Sequence, residues 1–369
     1  MSIVTTITSL SPKLKLAYAA VAVAVIAAVI IGLQYLSQAA SYAAFVEAES
    51  GSRTGTAKTV TDPDTAGGAY LQFGGPVSSP SPSPSTSPSP SPTPTPPATG
   101  PILWQDKFDA APAGQLTKVT GDAVFAPTVA PTNTDTYAMG SIVNDGPDGK
   151  GKALRHRIPA GQLGPFIVSP KLAREATHAT IQYSIRFDKN FDWRWGGKMG
   201  PGLVGVDTGV GIYKPTSGNG DRNIGWSARL MWHGRGDDGS RPFQGKLGPI
   251  PQGRDNDVVT YLYSRYPKDG FSGYGWHTSV GSMLRDTWQT VKLEVKMNTV
   301  GKQDGVFKVW IDGALGYSAT NFDWRSKENI RIQAIMWDIH RGGGTTPPSW
   351  VSSRDTYVDI ADVVVREVQ

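Results

Sequence analysis

Apolar and polar residues alternate with a period of two through much of residues 102–369. Val291, Leu293, Val295 and Met297 alternate with Lys292, Glu294 and Lys296, and Phe307, Val309 and Ile311 alternate with Lys308, Trp310 and Asp312. That period is the signature of a strand with one buried face. Asp312-Gly313 is a hairpin signal. Thr180–Phe187, Ile330–Trp337 and Tyr357–Val365 read as further strands, separated by Gly, Pro, Asn and Asp clusters, and no long segment carries the 3.6-residue period of a helix. The pattern predicts an all-β domain, an antiparallel β-sandwich of jelly-roll type. Glu294, flanked by lysines, is expected to face solvent.

The pattern breaks before residue 102. Leu16 to Leu33 is an uncharged apolar run of 18 residues preceded by Lys13 and Lys15, near the lower length that spans a bilayer. Residues 1–12 then form a cytoplasmic stub and 13–40 a transmembrane helix or signal anchor, by the positive-inside rule. The expected location is the cell membrane, single-pass, with the remainder extracellular. Cleavage near Ala39, giving a secreted chain, is the alternative. Residues 45–76 contain FVEAESG and GGAYLQF, which resemble the opening strands of family 6/35-type carbohydrate-binding modules, although only about a quarter of such a module is there. Residues 77–101 are a Pro/Ser/Thr linker expected to be disordered, with ten of the 28 prolines lying between Pro80 and Pro101. Such composition favours extended polyproline II.

Composition narrows the chemistry. The chain has no cysteine, which excludes disulfide scaffolds, thiol nucleophiles and Cys-zinc sites. Its net charge of +5 falls entirely in 102–369 and forms no dense basic stripe, so no nucleic-acid partner is expected. Mild basicity with 11 tryptophans suits an anionic or sugar-like partner. The five histidines show no metal spacing, and no metal or cofactor is expected. Asp355, Asp359 and Asp362 are a weak candidate for a structural calcium ion. A monomer is expected.

Three segments concentrate reactive groups. In Ile224–Trp232, alternation sends Trp226, Ala228, Leu230 and Trp232 to a core face and places Ser227 and Arg229 side by side on the other. In Val258–Arg265, Tyr261, Tyr263 and Arg265 share a face. Lys198 sits in a tight Gly/Pro-rich segment that would aim its ammonium group inward. His233 and His277 are candidates to line a substrate groove, and Trp310 and Trp337 to stack on sugar rings. A Lys, Arg and Tyr set is what β-elimination on a uronic acid requires. The C5 proton is weakly acidic beside a carboxylate, so a cation must neutralise that carboxylate. A base then takes the C5 proton and an acid protonates the departing O4. Tyrosine serves in either role when nearby cations favour its phenolate; the sequence does not say which of Tyr261 and Tyr263 is base and which is acid, and the larger loss of activity is expected from Tyr263→Phe.

GGKMGPGLVG, GWSARLMW, YLY, DGVFKVWIDG and the final DIADVVV, in that order, resemble polysaccharide lyase family 14, the alginate and glucuronan lyases of β-jelly-roll fold. The resemblance runs over most of 185–369, with a weaker lead-in from about residue 102. It implies a polyuronate lyase and puts the family's active-site lysine on Lys198, its serine and arginine on Ser227 and Arg229, and its paired tyrosines on Tyr261 and Tyr263. GGKMGPG departs from the K-L-P-G-L usual among relatives. Two other functions compete. A glycoside hydrolase needs two facing carboxylates, yet the main domain holds only Glu175, Glu294, Glu328 and Glu367. A non-catalytic, lectin-like domain would need the aromatics but not the Lys/Arg/Tyr set.

Overall fold

The computed structural model describes residues 58–61, 69–72, 99–129, 134–216, 220–236, 239, 249–250, 252–266, 275–342 and 350–369, with backbone alone at 58–61, 69–72, 99, 134–135 and 275–279. The chain divides into two units, Met1–Ser91 and Pro92–Gln369. In the first, strands β1 (Lys58–Thr61) and β2 (Ala69–Gln72) pair antiparallel. The expected membrane segment at 16–33 and the bulk of the linker lie outside the described residues. Among the described residues, no helix is long and apolar enough to cross a membrane.

The second unit begins with β3 (Thr99–Asp106) and β4 (Gly114–Gln115). A short helix, α1 (Lys118–Phe125), follows, closed at its start by a reciprocal capping box between Thr117 and Thr120. The two-residue reading missed it, because eight residues are too few for a clear helical period. A single turn, α2 (Thr134–Tyr137), precedes the remaining strands. These are β5 (Gly140–Val143), β6 (Ala153–Ile158), β7 (Phe166–Val168), β8 (Lys171–Ala176), β9 (His178–Phe187), β10 (Gly197–Val206), β11 (Gly225–Gly234) and β12 (Asn256–Tyr263). After them come β13 (Gly275–Gly281), β14 (Gln289–Lys296), β15 (Gly305–Ile311), β16 (Ala314–Phe322), β17 (Ile332–Arg341) and β18 (Thr356–Val368).

Two antiparallel sheets result. One has seven strands, ordered β13-β12-β11-β10-β17-β7 with β8 also on β17. The other has nine, ordered β16-β15-β14-β9-β18-β6-β5-β4 with β3 also on β18. Ile181, Ile185, Leu293, Val295, Val358 and Ile360 of the larger sheet share one core with Leu203, Trp226, Leu230, Trp232, Leu262, Ile335 and Ile339 of the smaller. The β-sandwich expectation therefore holds, and Trp226, Ala228, Leu230 and Trp232 occupy the core face that alternation assigned to them. Asp312 (φ 51°) and Gly313 (φ 78°) are both left-handed between β15 and β16, as a two-residue hairpin turn whose twist matches its strands requires.

Several expectations are corrected. Trp337 is fully buried, edge-on to Trp104, Phe108 and Phe125, so it is a core residue and not a sugar platform. Trp310 lies on the larger sheet, opposite Lys292 in register, with that ammonium 4.7 Å over its ring, away from the strands bearing Arg229 and Tyr261. Glu294 does not face solvent freely. Its carboxylate bonds His178 at 3.0 Å and accepts from Lys308 at 3.3 Å. The aspartates considered for calcium are served by cations of the chain itself: Asp359 by Arg155 (2.8 Å) and Arg186 (2.7 Å), Asp355 by Arg157 (3.3 Å), and Asp362 by Lys107 at 4.0 Å. No cluster of metal-ligating side chains occurs among the described residues.

Candidate active site

The outer face of the seven-stranded sheet gathers the reactive groups. Adjacent strands put Ser227 opposite Tyr263 and Arg229 opposite Tyr261 on β11 and β12, and Lys198 opposite Met231 on β10 and β11. On its other side β10 pairs with β17, which sets Lys198 opposite His340 and Gly200 opposite Asp338. Side chains two apart on one strand point the same way. Lys198, Ser227, Arg229, Tyr261, Tyr263, Asp338 and His340 therefore converge on one patch, beside a small apolar cluster of Met231, Val259 and the two tyrosines.

β10 is built for this. It pairs with β17 without interruption from Gly197 to Val204, yet against β11 its register slips between Lys198 and Leu203. Four residues, Met-Gly-Pro-Gly, stand against two. Pro201, which cannot donate to a ladder, is tolerated because it lies in this bulge. Gly202 is needed for close approach, since a Cβ there would lie 2.1 Å from the Ala228 carbonyl oxygen and 2.7 Å from Cγ of Arg229. Its missing side chain is the space through which the arginine stem passes.

The cluster is nearly dry. Ser227 is fully buried, and Lys198, Arg229, Tyr261 and Tyr263 are each at most 4% exposed. His340, with 17% of its side chain exposed, is more open. Asp338 forms an ion pair with Arg229 and accepts from Nδ1 of His340 at 2.7 Å. Burial opposes its charge, but His340, Arg229 and Lys198 outweigh that and hold the carboxyl well below the usual range. Lys198 donates to the Gly342 carbonyl. Burial lowers its pKa to about 8, against the pull of Asp338 and with help from Arg229. Burial likewise lowers the pKa of His340, against the pull of Asp338.

The tyrosine hydroxyls lie 2.7 Å apart. Arg229 sits 4.6 Å over the Tyr261 ring and 5.6 Å from that of Tyr263, Lys198 is 5.1 Å from Tyr261, and Arg222 is 4.2 Å from Tyr263. Nε of Arg229 and Oγ of Ser227, both buried, have no hydrogen-bond partner among the described residues. Buried donors are rarely left unpaired without a reason. Two such donors, two residues apart on one face, are disposed to receive an anionic oxygen.

Other expected site residues stand apart. Arg265 is committed to Asp323 (2.8 and 3.1 Å) and Asn223 (3.0 Å). His233 is buried four residues beyond Arg229 on the same face, roughly 13 Å along the strand, against Gly196, where a Cβ would come within 2.8 Å of its ring. His277 lies on β13, and its side chain is outside the described residues. Asp338, His340 and Arg222 were missed from sequence. The signal for the first two was D-x-H within MWDIHR, whose polar positions share a face in a strand that otherwise reads as core.

The family model for polysaccharide lyase 14 matches residues 152–363. No curated protein matches the chain. Among solved structures, an alginate lyase named Aly36B, in a mutant form complexed with an alginate trisaccharide, is similar at 20% identity and a TM-score of 0.56, covering 73% of this chain and 99% of its own. A marine alginate lyase of the same lyase family from Aplysia kurodai is similar at 22% identity and a TM-score of 0.56, covering 72% of this chain and 99% of its own.

Proposed function

The chain belongs to the polysaccharide lyase 14 family, and from that membership we propose that it cleaves a uronate polymer of the alginate type by β-elimination on the outer face of the seven-stranded sheet. The observation that carries the reading is the pair of unspent buried donors, Arg229 Nε and Ser227 Oγ, beside the hydrogen-bonded tyrosines. The two similar structures, both alginate lyases, support the choice of polymer.

In the proposed reaction the uronate carboxylate is received by Arg229 and Ser227, with Lys198 as a second cation. Neutralising that carboxylate acidifies C5–H, because charge develops there in the transition state. A phenolate of the tyrosine pair takes the C5 proton. The C5–H electrons form the C4=C5 double bond as the C4–O4 bond breaks, and a phenolic proton goes to the departing O4. The 2.7 Å contact lets the second tyrosine donate to the phenolate of the first. Tyr261 lies nearer than Tyr263 to the carboxylate-holding cations, and the pair acts as one proton-sharing unit in this reading. Asp338 is a positioning residue that holds Arg229 and His340.

A hydrolase is disfavoured because Asp338 is bonded to both Arg229 and His340 and so is not free to act as an acid or nucleophile. The test is ultraviolet absorbance of the unsaturated product when the full chain meets a panel of polyuronates. Tyr261→Phe and Tyr263→Phe should each lower kcat by at least about 10²-fold while preserving the ring packing. Near-full activity in both variants, or reducing ends without the double bond, would overturn the mechanism.

A further inference from the structure

A second basic feature lies away from the catalytic cluster. A cavity of about 750 Å³ is lined by residues 189–194, which lead into β10, by Arg235 just beyond β11, by Arg254 and Asp255 just ahead of β12, by Arg285 after β13, and by residues 353–354 before β18. It therefore lies at the strand ends nearest Lys198 and shares no residue with the reactive patch. Its lining carries six cationic side chains against two carboxylates.

Both carboxylates are already spoken for. Asp192 is held by Arg194 at 3.0 Å and Arg341 at 3.7 Å, and Asp255 is paired with Arg285. Lys189, Arg235, Arg254 and Arg354 have no carboxylate within 4.0 Å among the described residues. The wall is fixed. Arg285 lies 5.4 Å over the buried Trp193 ring and donates to the Phe191 carbonyl at 2.9 Å. Arg341, at the end of β17, donates to the carbonyls of Asp192 and Arg194. A rigid concavity with a surplus of four positive charges raises the local concentration of anions, and guanidinium groups match carboxylates in shape.

We propose that this pocket is a second, non-catalytic site for uronate carboxylates, which holds the same polymer where it leaves the reactive face on the Lys198 side. The identity of the polymer rests on the lyase reading; the anion site does not. Arg235 follows β11 six residues after Arg229, roughly 20 Å along an extended chain, so a long chain can occupy both sites and a short oligomer only one. Holding two points of one chain raises the effective concentration of the second.

The test uses the full chain carrying Lys189→Ala, Arg254→Ala and Arg354→Ala together, all exposed residues. Each exposed ion pair is worth roughly two- to fivefold. The ratio of polymer KM to trisaccharide KM should therefore rise about tenfold, and retardation in a polyuronate-containing gel should weaken in parallel. Added salt should erase the difference. An unchanged ratio with unchanged retardation overturns the proposal, as does retardation by a sulfated glucan but not by a polyuronate. Arg254→Glu alone should shift the ratio in the same direction, and a shift in the opposite direction would also overturn it. Failure of the lyase reading is separately visible as absence of the double-bond product from the unsubstituted chain, whatever the gel shows.

Discussion

Lys198 is a cation kept in a place that disfavours charge. Burial lowers its pKa to about 8 from an ordinary 10.5. The proposed role needs the protonated form, so kcat/KM should fall as pH rises through about 8. A bound carboxylate favours the ammonium, so the falling limb of kcat should lie at higher pH than that of kcat/KM. A rise of kcat/KM through the same range would make Lys198 a base. Stability should move oppositely. The unfolded chain binds this proton more tightly, so stability should increase between about 8 and 10.5. Lys198→Met should abolish that increase in melts taken across the range. Arg229 offers a second residue-level prediction. With a side chain only 2% exposed and paired with Asp338, it cannot be removed silently. Arg229→Ala should cost about 3–5 kcal/mol, because it strands a buried carboxylate. Adding Asp338→Asn should restore much of the stability, read by denaturant melts, and none of the activity.

At the scale of the element, the bulge in β10 couples backbone to chemistry. Gly202→Ala should destabilise by about 1–3 kcal/mol, as overpacking does, since its Cβ would meet the Ala228 carbonyl at 2.1 Å. Activity per folded molecule should fall further, because a displacement of about 1 Å at a reacting group costs on the order of 10²-fold. Kinetics with folded fraction measured at the same temperature would separate the two effects. Strands and faces were legible in sequence because their period is two and one face is greasy, as β11 and β14 illustrate. Ser227, Arg229, Tyr261 and Tyr263 could be placed on a common kind of surface by the same rule. What could not be read was depth. A polar residue opposite a core face is taken as exposed, yet this face is itself enclosed, so Arg229 emerges as a buried ion pair. Asp338 and His340 were hidden because their alternates, Trp337 and Ile339, made the strand look like continuous core. Trp337 misled in the reverse direction, since an aromatic ring suits a core as well as a groove.

For the whole molecule, the chain divides near residues 91–92, within the Pro/Ser/Thr stretch whose composition change was readable because proline and serine cannot build a core. The placement of the basic pocket was not readable, because its arginines come from loops after or before five different strands. The cations of the reactive face have a kinetic consequence. Lys198 and Arg229 stand there beside Asp338, with Arg222 over the Tyr263 ring. β-Elimination leaves the uronate carboxylate intact, so the grip that captures the substrate also retains the product. Departure of an anion from two cations is therefore expected to limit turnover. Moderate salt should raise kcat by hastening that departure while lowering kcat/KM by screening capture. The unsaturated oligomer should act as a competitive inhibitor whose hold weakens as salt is added.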